Sequence, residues 1–146
     1  MLTVKTLMEM GEIHTPHRKI GSVVDVVINH QLGRVIAYLV RSEAFHTQEA
    51  VLFDALMYHS EHRGYVQSSD DVVPLIKLPR LQALAEEYQV IGKPWLDFEG
   101  REIGTIEDIS FDGQTGYVMY YKIKFHPHVP VVTPMMSAAL SPFRGQ

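Results

Sequence analysis

The chain has 146 residues, 13 Lys and Arg against 17 Asp and Glu, a formal net charge of −4 and no cysteine. Its length suits one ordinary domain or two very small ones. The missing thiol excludes a disulfide framework, a thiolate metal site and a cysteine nucleophile. The scattered basic residues argue against a nucleic-acid surface, which gathers its cations on one face.

No run of 18 apolar residues is present, so no membrane-spanning helix is expected. Lys5 and Glu9 interrupt what a signal peptide would need as its apolar centre, so no signal peptide is expected. These features set the expected location as cytoplasmic.

In chain order, residues 3–13 are predicted as a first strand, and His14-Thr15-Pro16-His17 as a turn. Residues 20–28 and 34–41 read as strands joined by a loop that ends in Gly33. A polar connection over 42–48 leads to a short strand at 49–53. A hairpin is expected around residues 61–64. The period then changes: Leu81, Leu84, Ala85 and Tyr88 fall at three- and four-residue spacing, which predicts a helix over 78–89. A strand at 91–96 and a turn at 97–100 precede two strands within 101–125, joined by Asp112-Gly113. Three prolines between His126 and Pro134 confine any further strand to an edge.

The strongest signal is internal. Residues 101–123 lie on residues 18–40 without a gap, at an offset of 83. Eight of the 23 positions are identical: Arg18/Arg101, Ile20/Ile103, Gly21/Gly104, Asp25/Asp108, Gln31/Gln114, Gly33/Gly116, Val35/Val118 and Tyr38/Tyr121. The chain reads as two copies of one unit. The expected division is residues 1–76 for the first copy, 77–89 for a linker helix, 90–136 for a shorter second copy and 137–146 for a loose tail. Arg18, Gly21, Asp25, Gly33 and their mates Arg101, Gly104, Asp108 and Gly116 are read as structural. Each Asp is expected to accept hydrogen bonds from a nearby turn or from the repeated Arg.

The segment E-G-R-E-I-G-T-I-E-D-I-S-F-D-G-Q-T-G, and more weakly H-R-K-I-G-S-V-V-D-V-V-I-N-H-Q-L-G, resembles the PRC-barrel family. The resemblance covers residues 2–73 and 90–132. It implies an all-β fold: two small β-barrels in tandem, joined by one short α-helix. Members of that family include a cytoplasmic domain of photosynthetic reaction centres and a domain of a ribosome-maturation factor. What they share is adaptor work, with no common catalytic residues. The resemblance therefore implies a non-enzymatic assembly module, without cofactor, that binds protein partners at a photosynthetic or other membrane-associated complex. Membrane association would be peripheral, through such a partner. Self-association into a homodimer is a further expectation. An RNA-linked role like that of the ribosome-maturation relative is the first alternative. A metal- or ligand-binding sensor that uses histidines is the second.

Three pairs of histidines have ligand-like spacing: His14 with His17, His59 with His62, and His126 with His128. None lies on a helix as a metalloprotease pair would, so His14, His17, His59 and His62 are weak metal candidates. No glycine-rich loop opens a helix, and no serine stands in a nucleophile elbow.

The third strand of each copy carries the main contrast. Ile36, Tyr38 and Val40, with Met119, Tyr121 and Ile123, are expected to face the interior. The other face is Val35, Ala37 and Leu39 in copy one but Val118, Tyr120 and Lys122 in copy two. The first set needs a cover: the linker helix, the other barrel or a second chain. Trp95 and Phe98 stand where copy one, at the same offset, has Glu12 and Thr15, which suggests a copy-specific contact. Val35, Ala37, Leu39, Trp95, Phe98, Tyr120 and Lys122 are thus the candidate protein-contact residues. Met135, Met136 and Phe143 in the tail are read either as an adaptable docking segment or as simple packing.

Overall fold

A computed structural model describes residues 1–42, 48–58, 63–87 and 91–127. The expected tail at 137–146 lies outside those residues, as do Met135, Met136 and Phe143. So do four of the histidines: His46, His59, His62 and His128.

The chain opens with strand β1 (Leu2–Thr3) and helix α1 (Val4–Met10). Strand β2 (Glu12–His14) follows. The single strand predicted over 3–13 is therefore wrong. Thr3 caps the helix by accepting from the Thr6 amide, and the Gly11 amide closes it on the Leu7 carbonyl. Val4 and Leu7, three apart, are both buried. That spacing is helical, and it outweighs the β-leaning composition of the stretch.

Strands β3 (Lys19–Asn29) and β4 (Arg34–Ser42) form the first long hairpin. The chain continues through β5 (Gln48–Leu52), β6 (Met57–Tyr58), β7 (Arg63–Tyr65) and β8 (Val73–Pro74). Helix α2 (Pro79–Glu87) leads to β9 (Pro94–Leu96). Strands β10 (Glu102–Phe111) and β11 (Val118–Phe125) make the second long hairpin.

Seven strands form one sheet in the order β6-β7-β2-β3-β4-β5-β8. In the other, β10 lies between β11 and β1, and β9 also pairs with β10. All pairs are antiparallel except β2 with β7. The protein is mostly β, with two α-helices among the described residues. In those residues each sheet stays open, with edge strands at both ends, so the expected closed barrels are not seen there.

One apolar core runs through both halves. It joins Leu7, Ile13, Val23, Tyr38 and Val51 to Trp95, Ile106, Ile109 and Phe111. Tyr38 of the first hairpin lies 6.4 Å, centroid to centroid, from Phe111 of the second. A half of this size buries little apolar surface alone, and sharing one core remedies that. A second, smaller cluster lies on the far face of β3 and β4, beneath α2.

Candidate functional site

The two long hairpins share one register and one pattern of bulges. Gly21 pairs with Ser42, Val23 with Val40, Asp25 with Leu39 and Ile28 with Val35. At an offset of 83, Gly104 pairs with Phe125, Ile106 with Ile123, Asp108 with Lys122 and Phe111 with Val118. Both hairpins bulge twice, at the same places. The first bulge inserts Val24 or Glu107 and the second inserts Ile36 or Met119.

Side chains repeat as well. Asn29 Oδ1 accepts from the Gln31 and Leu32 amides, and Asp112 Oδ1 from those of Gln114 and Thr115. These Asx turns lead into Gly33 and Gly116, whose φ values are 65° and 81°. Gly21 and Gly104 serve close approach. A Cβ on Gly21 would stand 2.7 Å from the Arg41 carbonyl oxygen, and one on Gly104 2.5 Å from that of Lys124.

The repeated carboxylates are structural in their contacts. Asp25 Oδ1 accepts from the Val26 amide at 2.8 Å, and Asp108 Oδ1 from the Ile109 amide at 2.7 Å. Each holds the backbone just after the first bulge. Asp108 Oδ1 also accepts from the Lys5 amide in α1. Burial pushes the Asp25 carboxyl up, and the Val26 amide opposes it. The repeated arginines take no part in these contacts. Arg101 pairs instead with Asp97 at 2.9 Å and Glu99 at 3.2 Å, while Arg18 is exposed.

The halves meet where the hairpin turns end. Arg34 and Tyr117 form an isolated antiparallel bridge. The Val35 amide donates to the Gly116 carbonyl at 2.8 Å, and the Val118 amide to that of Gly33 at 2.9 Å. The offset exchanges these two bonds, so a local two-fold axis passes through the bridge. Arg34 reinforces the junction by donating from Nε to the Thr115 carbonyl and pairing with Asp54, its guanidinium over the Phe53 and Tyr117 rings.

Beside it, His30 Nδ1 and the Tyr121 hydroxyl lie 3.3 Å apart. Burial, with Lys93 adding repulsion, lowers the His30 pKa from 6.5 to about 4. Tyr121 also meets Trp95 at 5.5 Å between ring centroids. Sequence reading missed this inter-half cluster. Its only trace was His30 standing where the second copy has Gly113.

The bulges correct two sequence expectations. An extra residue reverses which side chains face inward. Val35, not Ile36, joins the main core, while Ile36 packs with Ala37 and Leu39 in the cluster under α2. Met119, expected inside, is 50 % exposed, whereas Val118 packs on the core.

Trp95 needs a different correction. It pairs with Gly104, as Ile13 pairs with Gly21. The turn after β9 is one residue longer than the turn after β2, so the true counterpart of Trp95 is Ile13, not Glu12. Both are buried, Trp95 at 1 % exposure and Ile13 at 0 %. The following turns also match: the Thr15 amide donates to the Arg18 carbonyl and the Asp97 amide to that of Arg101. Thr15 is thus the counterpart of Asp97, and Phe98, 59 % exposed, corresponds to Pro16.

Among the candidate contact residues, the structure buries Val35, Ala37, Leu39 and Trp95. Ala37 and Leu39 are covered by Leu75 and Leu81 of this chain. Tyr120, 61 % exposed, and Lys122 lie together on β11. Strand alternation sets Tyr120, Lys122 and Lys124 on one face, with Met119 at the bulge and Ser110 opposite Tyr120. Lys122 Nζ lies 3.5 Å from Glu107. Phe98, in the turn after β9, is not on this strand.

The described histidines do not converge. His14 Nε2 is 2.9 Å from Glu12, His17 is exposed, and His126 Nε2 is 2.7 Å from Glu102. The His14 contact, first of several causes, holds the Glu12 carboxyl below its usual pKa. The candidate ligands His59 and His62 fall outside the described residues. Among the described residues no three His, Asp or Glu side chains gather as a metal site needs. No helix among them is long and apolar enough to cross a membrane.

The family model for the PRC-barrel domain matches residues 87–138. That span holds β9, β10 and β11 entire. No curated protein matches the chain.

Proposed function

Taking residues 87–138 as a PRC-barrel domain, we propose that the chain is a duplicated unit of this kind that works as a non-catalytic adaptor. Its second half presents the partner-binding face. The observation that carries this reading is the unequal fate of two equivalent faces. On β3 and β4 the outer face is apolar and covered by the chain itself. On β10 and β11 the equivalent face is polar, with Met119 and Tyr120 exposed upon it. Tyrosine and methionine are enriched at recognition surfaces, whose rims are polar. The duplication is supported by the shared register, the shared bulges and the two-fold bridge. A non-catalytic role is supported by Asp25 and Asp108, whose carboxylates hold backbone amides at the bulges.

The test is affinity capture from native lysate with the full chain and with Tyr120→Ala/Lys122→Glu. Both side chains are exposed, so the variant should melt within a degree or two of the parent. The same protein should co-purify with the parent and be lost from the variant. Equal capture by both, or no specific capture by either, would remove the proposal.

A further inference from the structure

The covered face of the first hairpin shows what kind of partner suits the second. Val24, Val27, Ile36, Ala37 and Leu39 form a seat that α2 and the turn before it fill with Leu75, Leu78, Leu81, Leu84 and Ala85. The local two-fold carries this seat onto Glu107, Ser110, Met119, Tyr120 and Lys122. The backbone beneath is the same, with equal pairings and the same two bulges. A helix lies well on the first seat, and the second has its shape.

We propose that the outer face of β10 and β11 seats an amphipathic helix of a partner protein, placed as α2 is placed on β3 and β4. This rests on the adaptor reading and names the partner's form. The chemistry of the seat states what that helix carries. Its apolar part has shrunk from five side chains to Met119 and Tyr120. One apolar ridge at three- and four-residue spacing covers these. Beyond them stand Lys122, 72 % exposed at its side chain, and exposed Lys124. Glu107 answers one of these charges at 3.5 Å, and Asp108 is engaged by the Lys5 and Ile109 amides. The remaining cation calls for Asp or Glu about one turn past the apolar ridge.

The experiment is an NMR titration of the full chain, labelled at methionine methyls and backbone amides. The first probe is a synthetic helix with Leu at three- and four-residue spacing and Glu one turn beyond. The second replaces those Glu by Lys. The third is an extended peptide of alternating Val and Thr. The acidic helix should shift the Met119 methyl and the Tyr120 and Lys122 amides. Binding should weaken at least tenfold with the Lys probe and with Tyr120→Ala. Three results would overturn the inference: no shift at these positions, preference for the extended peptide, or contacts from residues 128–146 onto Met119 and Tyr120 in the free protein. A captured partner that crosslinks to this face as an extended segment would also remove the helix, while leaving the adaptor reading in place. Equal capture by the parent and Tyr120→Ala/Lys122→Glu, or no specific capture by either, would remove the adaptor reading whatever the peptides do.

Discussion

Arg34 and Tyr117, 83 positions apart, stand opposite each other in an antiparallel bridge between the two hairpins. At that offset they are equivalent positions of the two hairpins. The bond from Val35 to Gly116 and the bond from Val118 to Gly33 are therefore one bond made twice. This junction closes a single core over two units, each too small to bury much alone.

The bridge predicts an asymmetry between two identical glycines. Gly33 and Gly116 both hold positive φ, so alanine at either costs about 1 kcal/mol in backbone strain. A Cβ on Gly33 meets open space, while one on Gly116 would lie 3.1 Å from the Val35 carbonyl oxygen and 3.2 Å from the Phe53 ring. Gly116→Ala should lose roughly 1 kcal/mol more than Gly33→Ala, because it also disturbs the junction. Urea unfolding curves of the two variants decide this. Equal losses would mean that the bridge yields without cost.

Trp95 and Ile13 are equivalent core positions, and both should behave as such. Truncation to alanine should cost about 3–5 kcal/mol at Trp95 and about 2–5 kcal/mol at Ile13. Trp95 Nε1 has no hydrogen-bond partner among the described residues. Trp95→Phe, which gives up that N–H, should therefore lose much less than Trp95→Ala. Far-UV circular dichroism during chemical unfolding measures all three. A mild Trp95→Ala phenotype would move the residue out of the core and onto a surface.

The His30 cluster gives a pH signature. Its folded pKa, about 4, lies below the ordinary 6.5. Between those values the unfolded chain binds the proton and the folded one resists it. The contribution is full above pH 6.5 and is lost as pH falls toward 4. His30→Gln should flatten that part of the melting profile. An NMR titration of the His30 ring reads the pKa directly, and a midpoint near 6.5 would contradict the burial argument.

Asp25 should act with the opposite sign. Burial raises its folded pKa above 3.8, so the folded state binds the proton more readily than the unfolded chain does. The ionised carboxyl is a burden at neutral pH, relieved as pH falls through the raised value. Asp25→Asn keeps an oxygen for the Val26 amide and should match or exceed the parent's melting temperature at pH 7. The advantage should fade below pH 3.8. A large loss at pH 7 would show that the charge itself is needed.

Particular residues show how much was readable from sequence. Gly21, Gly33, Gly104 and Gly116 announced the bends and turns: Gly33 and Gly116 hold positive φ, and a Cβ on Gly21 or Gly104 would meet the neighbouring strand. Their repetition placed both hairpins. Helix α2 was visible in the spacing of Leu81, Leu84 and Ala85. Helix α1 was also there to find, in Thr3, Val4, Leu7 and Gly11, but one apolar pair over two turns is a weak periodic signal to read. The orientation of Met119 was not readable, because one inserted residue turns every later side chain over and alternation alone does not reveal the insertion. The pairing of Trp95 with Gly104 was hidden for a similar reason: one extra turn residue broke the offset.

By itself, then, the sequence determined the two long hairpins, their turns and their bends, since these depend on local backbone conformation. Only the tertiary structure decided the rest. It set the two units about a local two-fold at Arg34 and Tyr117 and sealed one core between them. It laid α2 over Ala37 and Leu39 and left Met119, Tyr120 and Lys122 exposed. Such outcomes depend on contacts between segments far apart in the chain, which no local pattern records. The candidate site therefore lies where the two copies differ in what covers them.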